Sequence, residues 1–268
     1  MVASVLMSAK IHDKWKAVYR TAENSDFYDL ACQGIAEYFY KIDGPVLDAG
    51  CGTGEKTSRL MELGYDVIGV DITPVVLNEA RAKLQAINHN DRAKLVQADL
   101  TNLAFPDAAF AGILVWGVLL HVPQLEKVVA ELCRVLKPGG KILVYDANPR
   151  SIDAKLLTLL RTITGRERTL TTKLGIENWF ESREGSLLVR WTYSGALREL
   201  FHMNGVTFDR QRAGQFTELY VYVRNALLRS LIHRWNNSYF KYIRWHVPSY
   251  ATMRFGKKTY CKTTMSKG

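Results

Sequence analysis

Val46-Leu47-Asp48-Ala49-Gly50-Cys51-Gly52-Thr53-Gly54 is the stretch that decides how this chain is read. Val46 and Leu47 are the apolar end of a buried strand. Gly50, Gly52 and Gly54 then remove the Cβ at alternate positions. Such a turn can take positive φ and lets a ligand lie against bare main chain. Residues 55–63 follow with Leu60, Met61 and Leu63 on one side, the pattern of a short amphipathic helix. Strand, glycine turn and helix in this order predict a doubly wound α/β fold, with its ligand at the carboxyl edge of the first strand.

The spacing selects the ligand. A dinucleotide turn reads G-x-G-x-x-G and seats a pyrophosphate on a helix N-terminus. Here the third glycine comes two positions after the second, and Glu55 stands next to it. Asp48 adds a negative charge that repels a pyrophosphate and suits a cationic ligand. This D-x-G-x-G-x-G run resembles motif I of the class I S-adenosylmethionine-dependent methyltransferases. The resemblance implies a Rossmann-like fold: a seven-stranded, mostly parallel sheet with helices on both faces. It implies S-adenosyl-L-methionine as cofactor, a molecule with an amino group, a sulfonium and no phosphate. Asp48, Gly50, Cys51, Gly52 and Gly54 are then cofactor-binding.

Further elements of the same pattern follow in order. Residues 66–71 read as a second buried strand ending in Asp71, 21 positions after Gly50. A carboxylate there can accept both hydroxyls of an adenosine ribose, with Ile72 beside it, and it would repel a 2′-phosphate. That argument leaves S-adenosylmethionine and NAD both open. Thr73 and Pro74 suit the cap and first position of a helix running to 84 or 85. Residues 94–97 form a third strand, followed by Ala98-Asp99-Leu100. The resemblance implies that Asp99 accepts from the adenine amine, with Leu100 alongside. Residues 110–116 are nearly all apolar, as a central parallel strand should be. In related enzymes the loop opened by Trp116 faces the transferred methyl group. Pro123 opens a helix, Leu136-Lys137-Pro138-Gly139-Gly140 ends it, and 141–145 make the fifth strand. The Lys-Pro-Gly-Gly turn again resembles this family. The likeness covers about 27–146 and, more weakly, 190–223.

The flanks are less determined. A helix is expected over 27–40. In the resembled family, N-terminal helices cover the cofactor, which makes Trp15, Tyr19 and Tyr28 candidates to pack beside it; packing in a lid or core is the alternative. Residues 147–192 lie where such folds place a cap over the acceptor pocket, with a helix at 152–160 and a polar, basic run at 161–173. A helix over 193–203 is capped by Ser194 and stopped by Gly205. Residues 206–212 and 218–223 are expected as a closing hairpin. Residues 1–223 then make the methyltransferase domain, and 224–268 a basic, aromatic C-terminal extension.

The charge is unevenly placed. Ten of the 36 Lys and Arg and none of the 26 Asp and Glu lie in 224–268, so residues 1–223 carry 26 of each sign and the whole net +10 sits in the tail. An apolar stripe over 226–235 is interrupted by Arg224 and Arg234. Residues 239–246 interleave aromatic and basic groups, which suits a water–lipid interface. Contact with an RNA backbone is the other use of such a surface. Residues 253–268 are expected to fray.

Composition bounds the rest. A chain of 268 residues can bury one full core, and 47% hydrophobic with 23% charged residues is ordinary for a soluble protein. The apolar 1–7 run has no preceding basic residue and is too short for a signal core. No run reaches the ~18 residues of a membrane span. Four scattered cysteines give no metal or disulfide frame, so a cytoplasmic location is expected, with peripheral membrane contact through 224–268.

Methyl transfer from a sulfonium is an in-line displacement. The protein positions the acceptor, excludes water and takes up a proton where one must leave. His121, in the loop after strand four, is the general-base candidate; Tyr145, Asp146 and Asn148 are weaker ones. Exocyclic-amine methyltransferases of nucleic acids resemble one another in Asn or Asp followed by Pro-Pro-aromatic after strand four. This chain has Val115-Trp116-Gly117-Val118 there, and no cysteine follows a proline. A small-molecule or lipid-linked acceptor is therefore expected, with oxygen as the accepting atom and nucleic acid disfavoured. RNA methylation, NAD-dependent oxidation on the same fold and a noncatalytic partner subunit are the alternatives.

Overall fold

The computed structural model describes residues 6, 8–19, 21–87, 92–164, 168–182, 185–243 and 245–260. Two helices lead the chain, α1 (Ala9–Tyr19) and α2 (Ala22–Phe39). The second starts earlier than its apolar periodicity suggests because Thr21 caps it, its hydroxyl accepting the Asn24 N–H. The αβ repeat follows: β1 (Val46–Ala49), α3 (Glu55–Glu62), β2 (Val67–Asp71), α4 (Pro74–Gln85), β3 (Ala93–Gln97), β4 (Phe110–Trp116), α5 (Leu125–Val135) and β5 (Leu136–Ala147). Next come α6 (Ile152–Thr164), β6 (Arg168–Thr171), β7 (Gly175–Ser182), β8 (Gly185–Thr192), α7 (Ser194–Met203), β9 (Val206–Ala213), α8 (Ala226–Ser238) and β10 (Ala251–Lys258).

The main sheet has seven strands in the order β3-β2-β1-β4-β5-β10-β9. β1 to β5 are parallel to their neighbours, and β10 runs antiparallel to both β5 and β9. The α/β architecture is therefore the expected doubly wound, mostly parallel one. Strand order reverses at β1, between β2 and β4, which is where this fold opens a crevice beyond the carboxyl ends of its strands. Successive side chains of β4 point to opposite faces. Leu114 packs with Phe27, Ile35 and Phe255 on one side; Val115 packs with Val129, Ile142 and Phe201 on the other.

Three expectations are corrected. Residues 218–223 form no strand; Leu219–Tyr222 is a 3₁₀ turn. Its approach is held sideways, because Asp153 accepts the Thr217 hydroxyl at 2.9 Å and the Glu218 N–H at 2.6 Å. The partner of β9 is instead β10, so 224–268 is not an appended extension, and 251–258 does not fray but inserts between β5 and β9. Ala251, Met253 and Phe255 face the α2 side of the core, while Arg254 is 2% exposed beside Asp146. Residues 261–268 lie outside those described. The cap is not helical alone. It combines α6 with an antiparallel sheet β6-β7-β8, whose cross-strand pair Glu177 and Arg190 is ion-paired at 2.9 Å. The Lys-Pro-Gly-Gly turn is an irregularity at the head of β5, where pairing jumps from Phe110↔Leu136 to Gly112↔Lys141.

Removing 251–268 should therefore unpair β5 and β9 together. Truncation after Tyr250 is expected to abolish the cooperative thermal transition followed by circular dichroism. A truncated chain that melts cooperatively near the full-length temperature would contradict the interior place of β10.

Candidate active site

Gly50, Gly52 and Gly54 take φ of 74°, 55° and 75°, the left-handed region that costs other residues energy. A Cβ on Gly50 would meet Val118 at 2.3 Å, whereas one on Gly52 would meet nothing within 4 Å. The loop after β4 thus packs on the back of the glycine turn, and the bare face of Gly52 opens into a cleft of about 760 Å³. Asp71 clamps the turn to the end of β2. Its two oxygens accept the Gly52 and Thr73 N–H groups, each at 2.9 Å. Asp99 forms a similar local turn, accepting the Thr101 N–H at 2.8 Å. Gly50, Cys51, Gly52, Asp71, Ile72, Asp99, Leu100, Trp116, Trp15, Tyr19 and His121 are all on the cleft wall.

Asp48 and Gly54 are not. Asp48 is 1% exposed beneath the turn and accepts the Thr57 hydroxyl at 2.6 Å; burial pushes its carboxyl up to about 6. Gly54 caps α3, with Ala80 at 3.3 Å from where a Cβ would lie. Both support the loop from behind. Thr73 was expected to cap α4 through its side chain; its hydroxyl instead donates to the Leu6 carbonyl at 2.9 Å. This ties the N-terminal segment to the cleft. Trp15 of α1 then stacks on His121, centroids 5.0 Å apart and planes at 27°.

His121 has a fixed tautomer. Its Nδ1 is 2.8 Å from the Leu188 carbonyl, which can only accept, so Nδ1 carries the proton and Nε2 the lone pair. Burial lowers its pKa to about 4. The ring is neutral at physiological pH but a weak proton acceptor, which does not suit the expected general-base role. Asn148 is spent structurally, its amide donating to the His246, Val247 and Ser249 carbonyls. Asp146 is on the cleft wall, but burial, opposed by Arg254, leaves its carboxyl at about 6.

The cleft changes character along its length. Trp116 and Tyr145 stack at 3.9 Å with planes 3° apart. Lys56 lies 4.2 Å from the Tyr28 ring centroid and 5.3 Å from that of Trp116, and burial lowers its pKa to about 8. Beyond them Glu218 neighbours Tyr19 and Tyr250, whose hydroxyls favour its ionised form. Burial, with neighbouring Asp153, raises the Glu218 carboxyl to about 7. Sequence reasoning missed Lys56 and Glu218. Lys56, two positions after the glycine run, reads in sequence as part of the helix that follows it, and Glu218 was placed at the head of a strand that does not form. Among the described residues no cluster of His, Cys, Asp and Glu could hold a metal ion.

The turn-facing wall offers bare main chain and two carboxylates. These are acceptors for hydroxyls, an amine and a positive charge, and a pyrophosphate would be repelled. A methyltransferase-domain family model matches residues 47–144. The chain is 30% identical over 189 residues to a demethylmenaquinone methyltransferase of Tropheryma whipplei, covering 66% of this chain and 75% of that one. The chain belongs to the class I S-adenosylmethionine-dependent methyltransferases. It is 38% identical over 100 residues to a sterol 4-C-methyltransferase of Caenorhabditis elegans, but spans only 30% of that relative and 37% of itself. The magnesium protoporphyrin IX methyltransferase of Synechocystis PCC 6803 shares the fold, with a TM-score of 0.64 over 96% of this chain and 99% of that one at 16% identity. S-adenosylmethionine is the cofactor of this enzyme.

The positions of Asp71 and Asp99 suit the adenosine end of that cofactor, with Asp71 retaining lone pairs for ribose hydroxyls beyond its two backbone bonds. Asp71→Asn keeps one acceptor oxygen and removes the charge. It should weaken S-adenosylhomocysteine binding about tenfold to a hundredfold by calorimetry. Unchanged affinity would remove Asp71 from the site.

Proposed function

We propose that this methyltransferase alkylates an apolar, lipid-linked acceptor at carbon, and that it meets this acceptor at a membrane surface. Oxygen was the atom expected from sequence. The sterol 4-C-methyltransferase named above acts, by its name, at carbon, and the demethylmenaquinone enzyme acts on a lipid quinone precursor. The first name gives carbon, and both favour a lipid class.

The observation that carries the reading is the second end of the cleft, an aromatic wall with the protonatable carboxyl of Glu218 beside it. Tyr28, Trp116, Tyr145 and Trp191 line it. They give an acceptor a flat, apolar bed of the kind that excludes water from a displacement. The bound cofactor supplies a methyl group on a positively charged sulfur. Attack by an acceptor carbon uses that carbon's π electrons for the new bond, and the electrons of the broken S–CH3 bond stay on sulfur. The carbon then carries one proton too many, and Glu218 receives it. The neighbouring Tyr19 and Tyr250 hydroxyls favour the carboxylate over the neutral acid. His121, neutral and on the cleft wall, can offer its Nε2 lone pair to a donor on the acceptor.

Because the Glu218 carboxyl is raised to about 7, it is protonated and idle below that pH and competent above it. With a reduced 2-prenyl-1,4-naphthoquinone as acceptor, turnover should rise with pH, falling about tenfold per unit below 7 and levelling off above it. Glu218→Gln should lower kcat about 100-fold or more and flatten the profile, with S-adenosylhomocysteine affinity unchanged. No methylation of the quinol by the wild-type enzyme would overturn the acceptor class. Full activity of the Gln variant would overturn the role of Glu218.

A further inference from the structure

The helix α8 is turned inside out. Its Leu227, Leu231 and Trp235 stripe, at every fourth residue, faces solvent, with Leu227 72% exposed. Its inner face carries His233 and Asn236, both buried. Asn236 is locked there by two bonds to the Thr217 main chain, accepting the N–H at 3.1 Å and donating to the carbonyl at 2.9 Å. His233 lies against the Tyr220 ring at 4.3 Å. The helix cannot roll its leucines inward without breaking both of these buried bonds.

The apolar surface continues past α8. Trp235 packs near Tyr239, whose hydroxyl donates to the Trp245 carbonyl; Trp245 is itself 61% exposed. The chain then passes exposed Val247 to Pro248, whose carbonyl accepts the Ile152 N–H at the start of α6. On α6 the apolar residues Ile152, Leu156, Leu159 and Leu160 are exposed, Leu159 at 58%, with the basic Lys155 exposed among them. Each helix end is also bound to the other, because Asp153 of α6 and Asn236 of α8 share Thr217 as partner.

Two further observations say what covers this face. The first is charge. Arg224, Arg234 and Lys241 are exposed along it, and 224–268 contains no acidic residue. The second is position. Tyr222, just before α8, and Leu157 of α6 both line the cleft, so whatever covers the face also covers the cleft mouth. A protein partner would bar the acceptor there; an anionic lipid surface would supply it. We infer that α6, α8 and the residues Tyr242, Ile243, Trp245 and Val247 form an apolar collar, ringed by basic groups, that seats the cleft mouth on an anionic bilayer. Trp and leucine side chains enter the headgroup boundary, while arginine and lysine stay at the phosphate level. This rests on the lipid-acceptor reading and locates its surface. The inner strand β10 takes no part in it.

The test uses the full-length protein and vesicles of phosphatidylcholine with about one-third phosphatidylglycerol, compared with phosphatidylcholine alone. The protein should sediment with the anionic vesicles at low salt, release as salt rises, and show a blue shift of tryptophan emission on binding. Leu227→Gln, Leu231→Gln and Trp245→Gln together should lower vesicle partitioning about tenfold or more. S-adenosylhomocysteine binding should be unaltered, which shows that the variant is folded and reads the cofactor assignment separately. Wild-type protein that stays in the supernatant with no emission shift would overturn the collar. So would a triple variant that binds as well as wild type. A dimer in light scattering that the same substitutions dissolve would assign the face to a second copy of the chain and overturn it equally.

Discussion

A single backbone N–H organises the nucleotide side of this molecule. Gly52 donates to Asp71 at 2.9 Å while in the left-handed region at φ 55°. The bond joins the turn after β1 to the end of β2 and holds the glycine face open toward the cleft. It works because the turn carries no side chains at 50, 52 and 54. A Cβ at Gly50 would strike Val118, so the loop after β4 could not close behind the turn. The other oxygen of Asp71 holds Thr73 N–H, and the Thr73 hydroxyl holds Leu6. One carboxylate thus links the turn, the second strand and, through Thr73, the N-terminal lid. Asp48 belongs to the same device from below. Its buried carboxyl, tied to Thr57, fixes the turn to α3 and does not face the ligand.

Electrostatics divide the cleft. Around Asp71 and Asp99 it is acidic and lined by main chain, an environment for hydroxyls, amines and a cation. Around Trp116, Tyr145 and Tyr28 it is apolar and aromatic, and the ionisable groups there are pushed toward neutrality: Lys56 down to about 8 and Glu218 up to about 7. Burial is the first cause in both cases, as it is for His121. A group whose charge is so weakly favoured gains or loses a proton near physiological pH, which is what proton uptake from an acceptor requires. In His121 burial goes further and leaves an imidazole too weakly basic for that task.

The β1–β5 half of the fold was legible because its signals are local. Glycine spacing, Asp71 at a strand end and the alternation of apolar runs each depend on neighbours a few positions away. The C-terminal half depends on distant partners. β10 carries a readable alternation, Ala251, Met253 and Phe255 against Thr252 and Arg254. Its charge and tail position argued for an exposed extension, and nothing nearby revealed that Arg254 would be buried beside Asp146. Residues 218–223 have strand-like composition, yet Asp153 takes the Glu218 N–H and turns the backbone aside. The stripe of α8 was visible as apolar; which way it faces was decided by Asn236 and Thr217. Glu218 had no signal of its own, since its environment is made by Tyr19 and Tyr250 from opposite ends of the chain.

The account stands or falls on what the glycine turn receives. A crystal structure of the enzyme with S-adenosylhomocysteine tests this most directly. The ribose should lie on the carboxylate of Asp71, the adenine beside Asp99 and Leu100, and the sulfur toward Trp116 and the aromatic end. A nucleoside lying elsewhere, or a turn that collapses onto Gly52 at saturating ligand, would contradict it.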